Sequence, residues 1–190
     1  MSALVPRLEF EELTPELKEM FRPRLERLGY LGEFFKCMSH QPRTMMGFYT
    51  ITESLKGALP DNFTQIVCLS VSSRLGNLYE QYQNERLSRK LGFSDAWIRE
   101  AVTPATDDDS VFGEQERLVQ MFAIAAALRY GKGVTEEFEN LVKAIGAEQA
   151  IGVLWLVGRT VTHALISNAL RLEPPVQSLF DGEKDGGGST

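Results

Sequence analysis

The sequence predicts an all-α protein, and three observations carry that prediction. Apolar residues recur at helical spacing in the long segments, none of which sustains the period-two alternation of a half-buried strand. Glycine and proline fall between the helical patterns rather than between period-two runs. Threonine, serine and asparagine stand where helices need N-caps, at Thr14, Asn77, Ser94 and Thr135. No internal repeat interrupts this reading. The chain is therefore expected to form one domain over residues 1–176, with a flexible tail over 177–190. A chain of 190 residues is long enough to bury about 70% of its unfolded surface.

Residues 1–13 read as an extended arm containing Pro6. Thr14-Pro15-Glu16 opens a helix, with proline at the first helical position and an acid in the first turn. Pro23 is expected to end or bend it, because an interior proline removes a backbone bond and clashes with the preceding turn. Leu31 to Met38 reads as a short apolar helix. Pro42 opens another, in which Met45, Phe48, Tyr49 and Thr52 form a bulky, mostly apolar face. Gly57 to Asp61 is a turn, and Pro60 leads into the next helix.

The central stretch, Gln65 to Gly92, reads as two helices broken near Gly76. In the first, Ile66, Leu69, Val71 and Leu75 are separated by small residues, which suits tight helix packing. In the second, Asn77 is the N-cap, and Asn77, Glu80 and Asn84 follow at i, i+3 and i+7 on one face. Gln83 and Arg74 lie close by. A polar stripe behind an apolar helix is a place where a small site can be built.

Further on, Ser94 caps a short helix ending near Val102. Thr103 to Ser110 is a polar loop whose aspartates suit a solvated turn, since the glycine and glutamate of an EF-hand loop are missing. A helix from about Gly113 to Tyr130 carries a broad apolar face and ends at Gly131-Lys132-Gly133. Thr135 caps a helix that stops at Gly146. The last helix, from about Ala147 to Leu172, is apolar over most of its circumference, so it is expected at the centre or at a subunit interface. Pro174-Pro175 stops it, and Asp181 to Thr190 reads as a disordered end.

A net charge of −6 and a pI near 5.1 argue against nucleic acid as the main partner, because phosphate contacts need a basic face. No apolar run is read as reaching the ~20 residues of a membrane span. The N-terminus shows no basic segment followed by an apolar one, so no secretory signal is read there and a cytoplasmic location is expected, with no membrane partner. Cys37 and Cys68 form no C-x-x-C pair and read as free buried thiols.

The central stretch resembles the signature of the carboxymuconolactone decarboxylase and alkylhydroperoxidase D-like superfamily. Its redox branch carries E-x11-C-x2-C-x3-H, and that spacing here falls on Gln65, Asn77, Glu80 and Asn84. Both cysteines, the glutamate and the histidine are replaced. Many decarboxylase-type members carry Y-E-W-x-H-H, of which Tyr79 to Asn84 keeps the Tyr-Glu. The rhythm Leu91 to Asp95, followed by a helix near Trp97, is similar as well. The resemblance spans roughly residues 5–175. It implies an alkylhydroperoxidase D-like helical domain assembled as a homo-oligomer, commonly a trimer or hexamer.

Three residues are candidates for catalysis. Glu80 can serve as a general base if its site is closed; alternatively it is a capping-box acid reaching back to Asn77. His163 titrates closest to neutrality and is the substitute for the missing motif histidine, or else a hydrogen-bonded core histidine. Tyr79 can donate a phenolic proton, as can Tyr82 and Tyr49, or can pack at an interface. Substrate binding falls to Arg74, Asn77, Gln83, Asn84 and Gln65: Arg74 as a bidentate partner of a carboxylate, the amides as hydrogen-bonding groups for a carbonyl or enolate. Arg74 in a surface or interhelical ion pair is the alternative. His40 reads as structural or as pocket rim.

The expected function is a cofactor-free acid–base enzyme, a decarboxylase, isomerase or related lyase acting on a small organic acid, lactone or ring ketone. No metal is expected. A non-catalytic helical oligomer serving as binding or scaffold protein is the alternative. An alkylhydroperoxidase-type peroxidase needs a low-pKa thiolate with a resolving partner, which this sequence lacks.

Overall fold

A computed structural model describes residues 5–181. Within them the chain forms eight α-helices and no strand: α1 (Pro15–Leu28), α2 (Glu33–Met38), α3 (Pro42–Ala58), α4 (Asp61–Arg74), α5 (Leu78–Lys90), α6 (Asp95–Val102), α7 (Glu114–Leu128) and α8 (Thr135–Ala169). Local chemistry accounts for most of the boundaries. Thr14, Asn77 and Ser94 each accept a hydrogen bond from a first-turn amide, at Leu17, Glu80 and Trp97.

α4 is the hub. It contacts α5, α6, α7 and α8, and every residue from Gln65 to Ser72 is buried. A helix buried on all sides needs small residues where neighbours approach, and Cys68, Ser70 and Ser72 supply them. Two of its buried polar side chains are partnered across the packing: the Ser70 hydroxyl donates to the Ala101 carbonyl at 2.7 Å, and Ser88 donates to Gln65 Oε1 at 3.0 Å, whereas the Ser72 hydroxyl has no partner among the described residues. A second apolar cluster joins α1, α2 and α3 through Leu17, Phe21, Phe34 and Met45, and it includes Tyr79 of α5. The seam between the two clusters is where α5 and α8 meet.

Several boundaries differ from expectation. α1 runs through Pro23 to Leu28, where Gly29 adopts φ 76° and its amide closes onto the Leu25 carbonyl. α8 joins the two expected final helices, with a break at Gly146, whose φ of 82° and ψ of 159° favour glycine. It ends at Ala169 rather than near Leu172, where Arg171 takes a left-handed φ of 52°. Contrary to the sequence reading, α8 has the length and hydropathy of a membrane span. Its inner face nevertheless packs onto α3, α4 and α7, and the charged Arg159 and polar His163 lie within it.

Gln177 to Asp181, assigned to the tail by sequence, is tied to α5. Arg86 donates two hydrogen bonds to the Gln177 carbonyl, and the fully buried Glu85 accepts from the Ser178 hydroxyl and the Leu179 amide. The remainder of the expected disordered end, residues 182–190, lies outside the described residues.

Candidate active site

The start of α5 brings two polar side chains into the seam. Asn77 caps the helix, so its Oδ1 is committed to the Glu80 amide at 3.3 Å, and its Nδ2 turns inward. That amide nitrogen lies 3.1 Å from His163 Nδ1 and 3.4 Å from Glu80 Oε2. Glu80 stands one turn into the helix, and its two oxygens are used separately. Oε1 pairs with the guanidinium of Arg159, and Oε2 lies 3.1 Å from His163 Nδ1.

Arg159 and His163 both come from α8, four residues apart and hence on one face. Arg159 is further held by Thr52 Oγ1, which accepts from Nε at 3.2 Å, and by the Phe48 ring, 5.2 Å from the guanidinium carbon. Ser167, one turn beyond His163, places its hydroxyl 3.2 Å from the same Nδ1. Nδ1 therefore meets a carboxylate, an amide and a hydroxyl. A proton there satisfies the carboxylate and leaves Nε2 as the basic nitrogen; a proton on Nε2 instead makes Nδ1 the acceptor for Asn77.

The cluster is closed off from water. Glu80, Asn77 and His163 are each at most 5% exposed. Phe34 of α2 lies flat on the imidazole, ring centroids 4.0 Å apart and planes 13° from parallel. Tyr79 and Phe48 flank it at 5.9 and 6.4 Å. Burial is the main cause that pulls the His163 pKa down to about 4; Arg159 and Arg24 add to it, and Glu80 works against it. Burial is the largest single influence on Arg159 and lowers its pKa, but the charge and hydrogen bond of Glu80, with Cys68 and Glu53, together make the net shift upward.

The expected residues therefore divide. Glu80, His163 and Asn77 converge. Tyr79 lines the cluster with its ring, but its hydroxyl turns to α2, accepting from the Phe34 amide at 3.3 Å. Burial pushes that phenol up to about 12. It sits so close to Gly32 that a Cβ there would come within 2.6 Å of the oxygen. Gln83 and Asn84 each donate to a carbonyl one turn back, at Tyr79 and Glu80, and are half-buried. Gln65 is spent on Ser88. Arg74 is exposed on the last turn of α4, so the expected carboxylate clamp is not built there.

The residues that sequence reasoning missed are Arg159 and the aromatic walls. A charged residue inside an otherwise apolar helix, one turn before a histidine, was the available signal for Arg159. Nothing in the local sequence marks Phe34 or Phe48.

Neither cysteine is an activated thiol. Both are buried, and burial is the main cause that raises the pKa of each, to about 12 for Cys68. Among the described residues, no three His, Cys, Asp or Glu side chains are grouped to hold a metal ion.

This arrangement of helices around a buried α4 matches the all-α fold seen in AhpD-like proteins. Particular solved structures share it over nearly the whole chain. The debrominase Bmp8, in a variant with alanine replacing one cysteine and in complex with 2,3,4-tribromopyrrole, is 20% identical with a TM-score of 0.77, covering 91% of this chain and 92% of that one. The alkylhydroperoxidase AhpD core of an uncharacterized peroxidase-related protein from Ralstonia eutropha JMP134 is 14% identical, TM-score 0.77, covering 89% and 90%. An uncharacterized peroxidase-related protein from Silicibacter sp. TM1040 is also 14% identical, TM-score 0.76, covering 92% and 93%. No family model and no curated protein matches the sequence.

Proposed function

We propose that the protein is an acid–base enzyme that moves a proton on a small carbonyl compound, with His163 as the base. The observation that carries this reading is the Glu80–His163 pair, a carboxylate 3.1 Å from a buried imidazole nitrogen. A proton on Nδ1 donates to Glu80 and leaves the Nε2 lone pair free to accept one from carbon. His163 then takes a proton from the carbon beside the carbonyl, the C–H electron pair becomes that of the enolate, and imidazolium forms. The Glu80 carboxylate offsets the new positive charge, as the acid of a catalytic triad does. Return of the proton to a second carbon isomerises the substrate.

The sequence reading gave the proton to Glu80 or His163, with Glu80 the key titrating group. Its commitment to Arg159 and to His163 favours an orienting role instead, and Tyr79 becomes the clamp that holds α2 over the imidazole. The raised thiol pKa values speak against the peroxidase reading, which needs a thiolate. The neighbouring debrominase holds a flat five-membered ring, and the walls formed here by Phe34, Phe48 and Tyr79 suit a flat ring too.

The test is hydrogen–deuterium exchange beside the carbonyl in a panel of lactones and ring ketones, followed by proton NMR in D2O. Exchange should be catalysed by the wild type and lowered about 10²–10⁴-fold by His163→Gln, the usual range for a general base. Equal exchange in the variant removes His163 from the role. A wild type inert toward the whole panel favours the scaffold reading.

A further inference from the structure

Among the described residues, one cation near the site is paired with no carboxylate. Arg24 follows Pro23 in the second half of α1 and is half-buried. Its Nε atom is sealed from solvent and has no hydrogen-bond partner. The groups acting most strongly on its charge are Tyr49, Tyr79, Arg27 and Tyr30, none of them a carboxylate. Burial is the main cause that lowers its pKa, and Arg27 adds to it. A guanidinium nitrogen taken from water with no acceptor opposite it is costly to maintain, and buried polar groups are ordinarily paired.

The guanidinium also rests on an aromatic ring. Its carbon lies 4.4 Å from the centre of the Phe35 ring, a cation–π contact. Phe35 touches Phe34 edge to face at 5.8 Å, and Phe34 is the ring stacked on His163. Tyr49 meets Phe35 edge to face, ring centroids 6.2 Å apart. The charge of Arg24 is felt at His163 and at Tyr79. An arginine with an unpartnered Nε thus stands among the aromatic rings that lead to the candidate base.

We infer that Arg24 is an anion receptor that binds the carboxylate of a small flat-ring acid, holding its ring against Phe35 and Tyr49. A planar carboxylate matches the guanidinium fork in two parallel hydrogen bonds, and the aromatic neighbours match an unsaturated or aromatic ring. This deepens the reading of His163 as base, because it names the substrate group that would dock beside it. It supplies the clamp that the exposed Arg74 does not.

Benzoate is the probe, benzamide its neutral control, and thermal unfolding with titration calorimetry the readout. Wild-type protein should gain melting temperature with rising benzoate and none with benzamide. Arg24→Met keeps the stem and removes the charge; it should weaken benzoate binding roughly 10- to 100-fold. The same variant without ligand should melt at or above the wild-type temperature, since an unpaired buried charge has gone. Arg24→Lys, a point charge without the fork, should bind with intermediate strength. Benzoate that fails to bind wild type at tens of millimolar, or binds Arg24→Met equally well, overturns the proposal. So does equal binding of benzamide. His163→Gln should bind benzoate as wild type does, so catalysed exchange without benzoate binding defeats Arg24 alone.

Discussion

Glu80 and His163 come from helices on opposite sides of the seam, and the carboxylate Oε2 stands 3.1 Å from the imidazole Nδ1. Its other oxygen pairs with Arg159, one turn before the histidine on the same face of α8. One carboxylate thus serves two residues of the facing helix, in a place where its side chain is 7% exposed and that of Arg159 11%. Removing it leaves a largely buried guanidinium without a counter-charge, held only by Thr52 and the Phe48 ring. Glu80→Gln is therefore expected to destabilise the protein by about 3–5 kcal/mol, the range for breaking a buried ion pair from one side. Urea unfolding measures it, and Glu80→Gln combined with Arg159→Met should recover part of the loss. A Glu80→Gln variant as stable as wild type would show that the pair contributes nothing.

The seam also explains what could be read in advance. The cap at Asn77, the polar stripe through Glu80 and the break at Gly76 are local, and residues within one helical turn report them. The partner of Glu80 is 79 positions away and has no local signature beyond a charge in an apolar helix. The amides at Gln83 and Asn84 share Glu80's helix and yet turn back to their own backbone, because one turn's separation offers a carbonyl closer than any substrate. Gln65 aligned with the motif glutamate, but its nearest polar neighbour is Ser88. The passage of α1 through Pro23 was likewise illegible: Leu17 and Phe21 before the proline and Leu25 after it pack into the second cluster and hold the helix across the lost hydrogen bond.

A pH dependence follows from His163. Its pKa falls from an ordinary 6.5 to about 4 on folding, chiefly through burial. Between those values the unfolded chain binds a proton that the folded chain refuses. Stability is therefore full above about pH 6.5, declines as the pH falls toward 4, and loses nothing more from this group below that. The shift corresponds to a decline on the order of 3 kcal/mol. Urea unfolding at pH 4.5 and 7.5 measures it. His163→Gln should flatten the difference between the two, and a variant with the same pH slope as wild type would assign the slope to other groups.

The thiols should be silent. Cys68 is 6% exposed and its pKa is pushed to about 12, while Cys37 is 3% exposed and shifted in the same direction. A thiol reagent such as DTNB should label the native protein far more slowly than the urea-unfolded protein, which exposes two cysteines. Replacing both by alanine should leave any catalysed exchange in place. Loss of turnover with the fold intact would restore a thiol mechanism.

The remaining prediction concerns the outer face of α8. Val157 and Leu172, expected in its apolar surround, are buried in the core, but Ile151, Leu154, Trp155 and Leu165 are 40–71% exposed. Ile151, Gly158 and Leu165 recur every seven residues with Leu154 and Trp155 between them, the spacing of a helix-pairing seam. Met121 and Leu128, also seven apart, lie exposed on α7, which packs against α8. A contiguous apolar face of this kind is unusual on a chain that remains alone. Light scattering is expected to give a multiple of 21.3 kDa. Trp155→Lys with Leu165→Lys should shift the population toward the single chain, because two like charges would meet their copies across the seam. Both side chains are outside the core, so thermal unfolding of the dissociated variant should remain cooperative. A 21.3 kDa species for the wild type across a wide concentration range would exclude assembly through this face.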